Sequence, residues 1–230
     1  MKRENLIGLI GLAAGAIALG GCCTCGTAEV HPDSSSWTPV FDKTLSNAEY
    51  KPGSWGYEAD GCLVPRTGDS IFSKEDYENF VVDLEYAMGK AGNSGLFLYD
   101  TDHPKFKFEV QMMDDDDPSL AKELPYQKNG SIYGRAPARV NNARPAGEWN
   151  RMTVWCRGQK VRVCVNGVEQ VNVDFADWKD ALINPDGTRV PKWHEGFPAL
   201  STIPTHGKIG FQGVHGKTGV RIKYIRVKKL

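Results

Sequence analysis

A short stretch in the middle of the chain carries the side chains best suited to proton transfer. Residues 106–118 read FKFEVQMMDDDDP, in which Phe106, Phe108, Val110 and Met112 alternate with Lys107, Glu109, Gln111 and Met113. This alternation predicts a β-strand with one apolar face and one polar face. Glu109 and Gln111 share the polar face, where a carboxyl can transfer a proton and an amide can hold a reacting oxygen. The stretch therefore indicates either the floor of a cleft or a solvated strand that ends in an acidic turn.

The four aspartates that follow allow several interpretations. By strict alternation Asp114 falls on the face opposite Glu109, although a β-bulge at Met112 and Met113 would bring it back. Glu109-x-Gln-x-x-Asp114 then resembles the Glu-x-Asp-x-x-Glu phrase of jelly-roll β-glucanases, with an amide in place of the middle carboxylate. Ordinary retaining chemistry requires two carboxyls about 5–5.5 Å apart and is not expected here. The run Asp114–Asp117 can bind a divalent cation such as Ca²⁺, or can form a turn closed by Pro118.

The N-terminus has the layout of an export signal. Lys2 and Arg3 precede an uncharged, largely apolar stretch that ends at Cys22, and this stretch is short for a membrane span. We therefore expect residues 1–21 to be a signal peptide, 22–36 a polar tether and 37–230 one domain. Leu19-Gly20-Gly21-Cys22 resembles a bacterial lipobox, and this resemblance implies that Cys22 is a lipid attachment site. The alternative is a plain cleaved signal. Either interpretation predicts an exported protein, and the first a lipoprotein on the periplasmic or cell-surface side of a membrane. Two acyl chains would anchor it stably.

Charge and cysteine content exclude some classes of protein. The chain has 28 basic and 28 acidic residues, so no basic excess favours a nucleic-acid partner. Three of its six cysteines lie at or near the predicted anchor, and Cys62, Cys156 and Cys164 are left for the domain. Their spacing fits neither a disulfide scaffold nor a zinc site. We interpret Cys156 and Cys164 as ordinary strand residues.

The domain consists mainly of short alternating runs separated by turn residues, and Asn166-Gly167 is a strong hairpin signal. Such runs predict an all-β sandwich or jelly roll. The segment 175–207 interrupts them with prolines, an Asp-Gly turn, Trp178 and Trp193, and a loop of this length is usually functional or disordered. Its tryptophans can roof a cleft or pin the loop, and no role is assigned to His194 or His206. The predicted strands are 61–64, 69–73, 79–88, 94–100, 105–113, 131–134, 149–157, 161–166, 168–174, 208–214 and 219–229.

Seven phrases taken in order resemble the 3-keto-disaccharide hydrolase family over roughly residues 37–230. They are YENFVVDLEY (77–86), NSGLFL (93–98), FEVQMMD (108–114), IYG (132–134), PAGEWN (145–150), VNG (165–167) and KIGFQGVHG (208–216). The resemblance implies a concanavalin A-like jelly-roll sandwich of two curved antiparallel sheets, in agreement with the strand pattern. One departure is Lys223, where the family usually has an arginine, so a bidentate fork is lost.

The resemblance also implies a set of site residues and a carbohydrate substrate. Glu109 is expected to act as base or acid, with His215 as its counterpart and Glu85 and Asp114 in reserve. The expected substrate-binding residues are Asn93, Ser94, Gln111, Tyr133, Trp149 and Gln212.

The mechanism implied for a 3-keto-disaccharide or 3-keto-glycoside is elimination. The ketone acidifies the C2 proton, a base removes it, the glycosidic oxygen leaves from C1, and water then adds. Such a site needs a base, an acid and a stabiliser for the enolate, and a divalent cation can serve as that stabiliser. The alternatives are a non-catalytic carbohydrate-binding lipoprotein and a conventional jelly-roll glycosidase.

Overall fold

Two antiparallel sheets pack face to face in the computed structural model, which describes residues 31–101, 103, 105 and 107–230. The strands of this described part are β1 (Thr38–Pro39), β2 (Ala48–Tyr50), β3 (Trp55–Tyr57), β4 (Leu63–Pro65), β5 (Ile71–Tyr77), β6 (Phe80–Met88), β7 (Asn93–Asp100), β8 (Phe108–Met113), β9 (Trp149–Arg157), β10 (Lys160–Val165), β11 (Val168–Asp174), β12 (Gly207–Phe211) and β13 (Val220–Lys229). Short 3₁₀ helices occupy Pro118–Leu120, Pro125–Gln127, Phe175–Asp177, Lys192–His194 and Leu200–Thr202.

The larger sheet, called the back sheet here, has the order β11-β10-β9-β6-β13-β4-β3, with β1 paired to β13. The smaller sheet, called the front sheet, has the order β2-β5-β12-β7-β8. The neighbouring strands of the front sheet are therefore distant from each other in sequence, except for the consecutive strands β7 and β8. The predicted all-β jelly-roll class is confirmed.

Side chains from both sheets form one core. On β6 every second residue is fully buried, as Phe80, Val82, Leu84 and Tyr86 show, and on β8 Phe108, Val110 and Met112 face the same interior. The period-two pattern therefore decides which face of each strand packs inward. Phe106, which the sequence places on the same face of β8, lies outside the described residues.

The hairpin predicted at Asn166-Gly167 joins β10 to β11. Both turn residues have positive φ, 49° and 81°, as a two-residue type I′ turn requires. Cys156 and Cys164 are buried within β9 and β10, which agrees with their interpretation as strand residues.

One predicted strand was wrong. Residues 131–134 form no regular strand, and only isolated bridges join Ile132 to Val110 and Ala136. The short strands β1, β2 and β3 carry too few residues for alternation to be recognised, and the sequence analysis missed them. Among the described residues no helix is long and apolar enough to cross a membrane.

The segment expected to be a free tether is partly packed. Ser34 Oγ donates to Asp83 Oδ2 at 2.5 Å, and Arg151 donates to the Pro32 carbonyl at 2.6 Å. His31 accepts from the Gly167 amide at 2.8 Å. Residues 31–36 therefore lie against the back sheet, and the packed part of the chain extends to at least His31.

Candidate functional site

A cavity of about 290 Å³ lies on the front sheet, beneath the segment 175–207. This volume is close to the lower end of the range for small-molecule sites. The cavity is lined by Asn93 and Phe97 of β7, Glu109 and Gln111 of β8, Gln212 and His215 after β12, Tyr133 and Arg135, and Trp193, His194 and Phe197 of the segment 175–207. Five of the predicted site residues of the front sheet thus come together with Tyr133.

Glu109 is the carboxyl of this cavity. Its side chain leans across the neighbouring strand, and a Cβ added to Gly95 would lie 2.6 Å from Glu109 Cδ. The carboxyl has no hydrogen-bond partner among the described residues. Burial raises the pKa of Glu109 to about 8, and the nearby Lys107 charge opposes that rise only in part. Glu109 is therefore mostly protonated at neutral pH and titrates within the physiological range.

Two amide oxygens face the same space without partners. Gln111 is 1% exposed, and its Oε1 is buried without a hydrogen bond, as is Oε1 of Gln212. Buried polar atoms are normally paired, so these amides point to a ligand that supplies donors. Ser94 contributes indirectly, because its hydroxyl donates to the Gln212 carbonyl at 2.7 Å. Ser94 therefore positions Gln212, and its predicted role as a direct sugar contact is not what the structure shows.

Asn93 and His215 lie together at the rim. The His215 amide donates to the Asn93 carbonyl at 3.3 Å, which holds the loop after β12 against the start of β7. The His215 side chain is exposed. Both residues line the cavity as predicted, and His215 does so from its solvent side.

Tyr133 and Arg135 form one wall. The Tyr133 amide donates to the Glu109 carbonyl at 2.9 Å, and its hydroxyl accepts from Gln127 Nε2 at 3.3 Å. Arg135, only 3% exposed, donates to the carbonyls of Ala181 and Pro198, both at 3.1 Å. Arg135 therefore ties the segment 175–207 to the front sheet.

His194 enters the cavity from that segment, although the sequence analysis gave it no role. Its ring lies 5.4 Å from the Tyr133 ring and 5.0 Å from the Phe197 ring. Burial, assisted by the Arg135 charge, lowers the pKa of His194 to about 4. Trp193 beside it also lines the cavity and is 55% exposed, whereas Trp178 is buried and pins the loop through Asn184. No periodicity marks this segment, so the sequence carried no signal for His194.

Glu85 and Trp149 were predicted to belong to the site, and the structure places them elsewhere. Both lie on the outer face of the back sheet, where Lys223 Nζ is 2.7 Å from Glu85 Oε2 and 5.6 Å from the Trp149 ring centre. Strands β6 and β9 pair with each other in that sheet. These two residues therefore cannot share a cavity with Glu109.

The structure also contradicts the prediction that Asp114 belongs to the site. Met112 and Met113 pair in register with Ser94 and Asn93, so the predicted bulge does not form. The buried Asp114 carboxylate instead accepts from the Ala91 amide at 2.9 Å. Asp114 therefore stabilises the turn before β7 and does not line the cavity.

The other aspartates also make turn contacts. Asp115 accepts from the Asn129 amide at 3.1 Å, and Asp117 caps the helix Pro118–Leu120 through the Ser119 amide at 2.9 Å. Across residues 31–101, 103, 105 and 107–230 no three His, Cys, Asp or Glu side chains are grouped so that they could hold a metal ion. The predicted lipid attachment site, Cys22, lies outside the described residues.

A curated relative, the 3-keto-disaccharide hydrolase of Bacteroides thetaiotaomicron, is 28% identical over 86% of this chain and 80% of its own. A crystal structure of a candidate glycosyl hydrolase from Parabacteroides distasonis is 35% identical, with a TM-score of 0.79, over 84% of this chain and 99% of that one.

A more distant likeness concerns the fold alone. Carbohydrate binding module CBM66 of Bacillus subtilis has a TM-score of 0.53 at 8% identity, over 82% of this chain and 99% of that one. The family model described as a 3-keto-alpha-glucoside-1,2-lyase-like domain matches residues 36–228. The family model, the curated relative and the 35% identical crystal structure support a glycoside-cleaving function and confirm the predicted enzyme class. The chain belongs to the 3-keto-alpha-glucoside-1,2-lyase-like family.

Proposed function

We propose that the protein cleaves 3-keto-glycosides, such as 3-keto-disaccharides, by elimination followed by addition of water. The observation that carries the proposal is the Glu109 carboxyl, which lines the cavity beside two buried amide oxygens that have no partners. Burial raises the pKa of this carboxyl to about 8. The names of the family and of the curated relative support the same chemistry.

The chemistry fits the donors and acceptors of the cavity. A ketone at C3 acidifies the proton on C2, so one group must remove that proton and another must protonate the glycosidic oxygen as it leaves C1. A general acid must carry its proton at the working pH and works best with a pKa near that pH, and Glu109 satisfies this condition. The amides of Gln111 and Gln212 can bind sugar hydroxyls through their free oxygens.

A conventional glycosidase is less compatible with the site. Retaining and inverting enzymes use two carboxyls on opposite sides of the scissile bond. Among the described residues that line the cavity, Glu109 is the only acid. Elimination from a keto sugar requires no protein nucleophile, so one carboxyl and a separate base suffice.

The test follows a 3-keto-disaccharide and its unoxidised parent by NMR with wild-type protein and with Glu109→Gln. We expect cleavage of the keto sugar alone, and a decrease of at least about 10²-fold in the variant. Binding of both sugars without cleavage of either would contradict the proposal and favour a carbohydrate-binding protein. Cleavage of the parent would favour a conventional glycosidase.

A further inference from the structure

His194 is an ionisable side chain of the cavity to which the proposed function assigns no role. His194 of the helix Lys192–His194 lines the same cavity as Glu109. Its Nδ1 is buried without a hydrogen bond. Among the described residues neither ring nitrogen has a side-chain or backbone partner, and a buried donor or acceptor without one costs about 1–3 kcal/mol.

The protein fixes the position of this ring closely. Gly134 has a φ of 69°, and a Cβ there would lie 2.5 Å from His194 Nδ1. The glycine thus permits the left-handed turn and also leaves room for the imidazole. Tyr133 packs edge-on against the ring and Phe197 packs on its other side. The Nδ1–Cε1 edge of the ring therefore packs against Gly134, and Nε2 is the nitrogen left to meet a ligand in the cavity.

The surroundings of His194 favour its neutral form. Burial lowers the pKa of His194, and the charge of Arg135, on the wall that carries Tyr133, acts in the same direction. The cavity therefore holds two groups whose environments separate their proton affinities in opposite directions, a neutral imidazole and a protonated carboxyl. Such a separation distinguishes a base from an acid within one site.

We propose that His194 is the base that removes the C2 proton and that Glu109 is the acid that protonates the leaving oxygen. This inference rests on the proposed function and changes the expected base from His215, whose side chain lies exposed at the rim, to His194.

The proton balance closes over one turnover. His194 takes the C2 proton, and the C–H electron pair forms the enolate between C2 and C3. The ketone re-forms, a C1–C2 double bond appears, and the C1–O bond breaks as Glu109 gives its proton to the departing oxygen. Water then adds at C1 while Glu109 takes back a proton, and His194 returns a proton to C2. Both side chains regain their starting states.

The experiment separates proton removal from leaving-group departure. The first substrate is 1,5-anhydro-3-keto-glucitol, which has no leaving group at C1, and loss of its C2 hydrogen is followed by NMR in D₂O. The second and third are a 3-keto-disaccharide and 4-nitrophenyl 3-keto-glucoside, which have a poor and a good leaving group. The variants are His194→Gln, His194→Asn, Glu109→Gln and the control His206→Gln, whose exposed side chain does not line the cavity.

We expect both His194 variants to lose C2 exchange and cleavage of both glycosides by about 10²–10⁴-fold. Glu109→Gln should retain exchange and most cleavage of the nitrophenyl glycoside, and should lose cleavage of the disaccharide. His206→Gln should behave as wild type. Melting temperatures and sugar-induced NMR shifts identify any variant that has lost the cavity.

Wild-type exchange rates in both His194 variants would overturn the assignment of His194. If Glu109→Gln lost exchange in that case, the base would be Glu109. If the wild-type protein cleaved the keto sugar without exchanging C2, or cleaved neither glycoside, the proposed elimination itself would fail. The two failures are therefore distinguishable.

Discussion

The Glu109 carboxyl lies directly over Gly95 on the adjacent strand, in space that any other residue at position 95 would fill. Gly95 pairs with Gln111 and Phe97 pairs with Glu109, so the carboxyl reaches diagonally across the β7–β8 pair. A strand glycine normally weakens a sheet. Here it creates the recess in which the carboxyl is desolvated.

Gly95→Ala is expected to reduce activity by at least about 10²-fold, because the new methyl group displaces the Glu109 carboxyl from its place in the cavity. The displaced atoms belong to the end of a flexible side chain, so the fold should persist. The measurement is kcat/KM on a 3-keto-disaccharide together with the melting temperature. Gly56→Ala is the matched control, since its methyl group would meet only the end of the Arg66 side chain, on the back sheet. Equal activity of the two variants would show that the Glu109 position does not matter.

The activity should depend on pH through Glu109. As an acid Glu109 must carry its proton, so kcat/KM for a 3-keto-disaccharide should decline as pH rises through about 8. Lys107 and Tyr133 lie near the same carboxyl, and burial raises the pKa of Tyr133. The decline should be absent in Glu109→Gln acting on 4-nitrophenyl 3-keto-glucoside. An unchanged decline in that variant would assign the titration to another group.

Glu109 should also make stability depend on pH. Its folded-state pKa of about 8 lies above the ordinary value of 4.5, so the folded protein binds this proton more tightly than the unfolded chain does. This proton therefore makes a contribution to the free energy of unfolding that is fully present below about pH 4.5 and is lost as pH rises through about 8. Glu109→Gln removes this loss, so its melting temperature at pH 9 should be higher than that of wild type. Each kcal/mol gained in the free energy of unfolding should raise the melting temperature by about 2–4 °C. Thermal unfolding of both proteins at pH 5 and pH 9 measures the difference, which should be larger at pH 9.

Asp83 on the back sheet is fully buried and carries a network unrelated to catalysis. It accepts from Arg151 at 2.9 Å and from Thr153 at 2.6 Å, as well as from Ser34. Asp83→Ala should destabilise the protein by about 2–4 kcal/mol, because Arg151 loses its charge partner in a partly buried position. The activity of the folded protein should not change. Glu85 lies on the same strand as Asp83 and makes an exposed contact to Lys223 of β13. Glu85→Gln breaks this contact and should change stability by less than about 1 kcal/mol.

The export prediction has its own test. Cys22→Ser should release the protein from the membrane fraction of the producing cells, because two acyl chains are needed for stable anchoring. Cys23→Ser is the control and should leave the protein in the membrane fraction. Membrane retention of Cys22→Ser would contradict the lipoprotein prediction.

The alternation of apolar and polar residues correctly predicted β8, the strand that carries Glu109 and Gln111. Side chains of a strand alternate with a period of exactly two residues, so the sequence alone places Glu109 and Gln111 together and buries Val110 between them. The same rule correctly placed Asp114 on the face opposite Glu109. The β-bulge that was predicted to bring Asp114 onto the face of Glu109 does not form.

Long-range pairing explains the errors at Glu85 and Trp149. Both residues lie on strands that were recognised correctly, but alternation does not show which sheet a strand joins or which sheet bears the cavity. His194 was missed for a different reason. It is positioned by Gly134, Tyr133 and the Arg135 contacts to loop carbonyls, none of which leaves a periodic trace in the segment 175–207.

The division of the cavity between a sheet floor and a loop roof has an evolutionary consequence. Arg135 holds the segment 175–207 through the main-chain carbonyls of Ala181 and Pro198, and such contacts do not depend on the side chains at those positions. Substitutions at Trp193 and Phe197 can therefore accumulate while the loop keeps its path and the floor keeps Glu109. Descendants of one ancestral scaffold could in this way acquire different sugar preferences through substitutions in the loop roof while they retain His194.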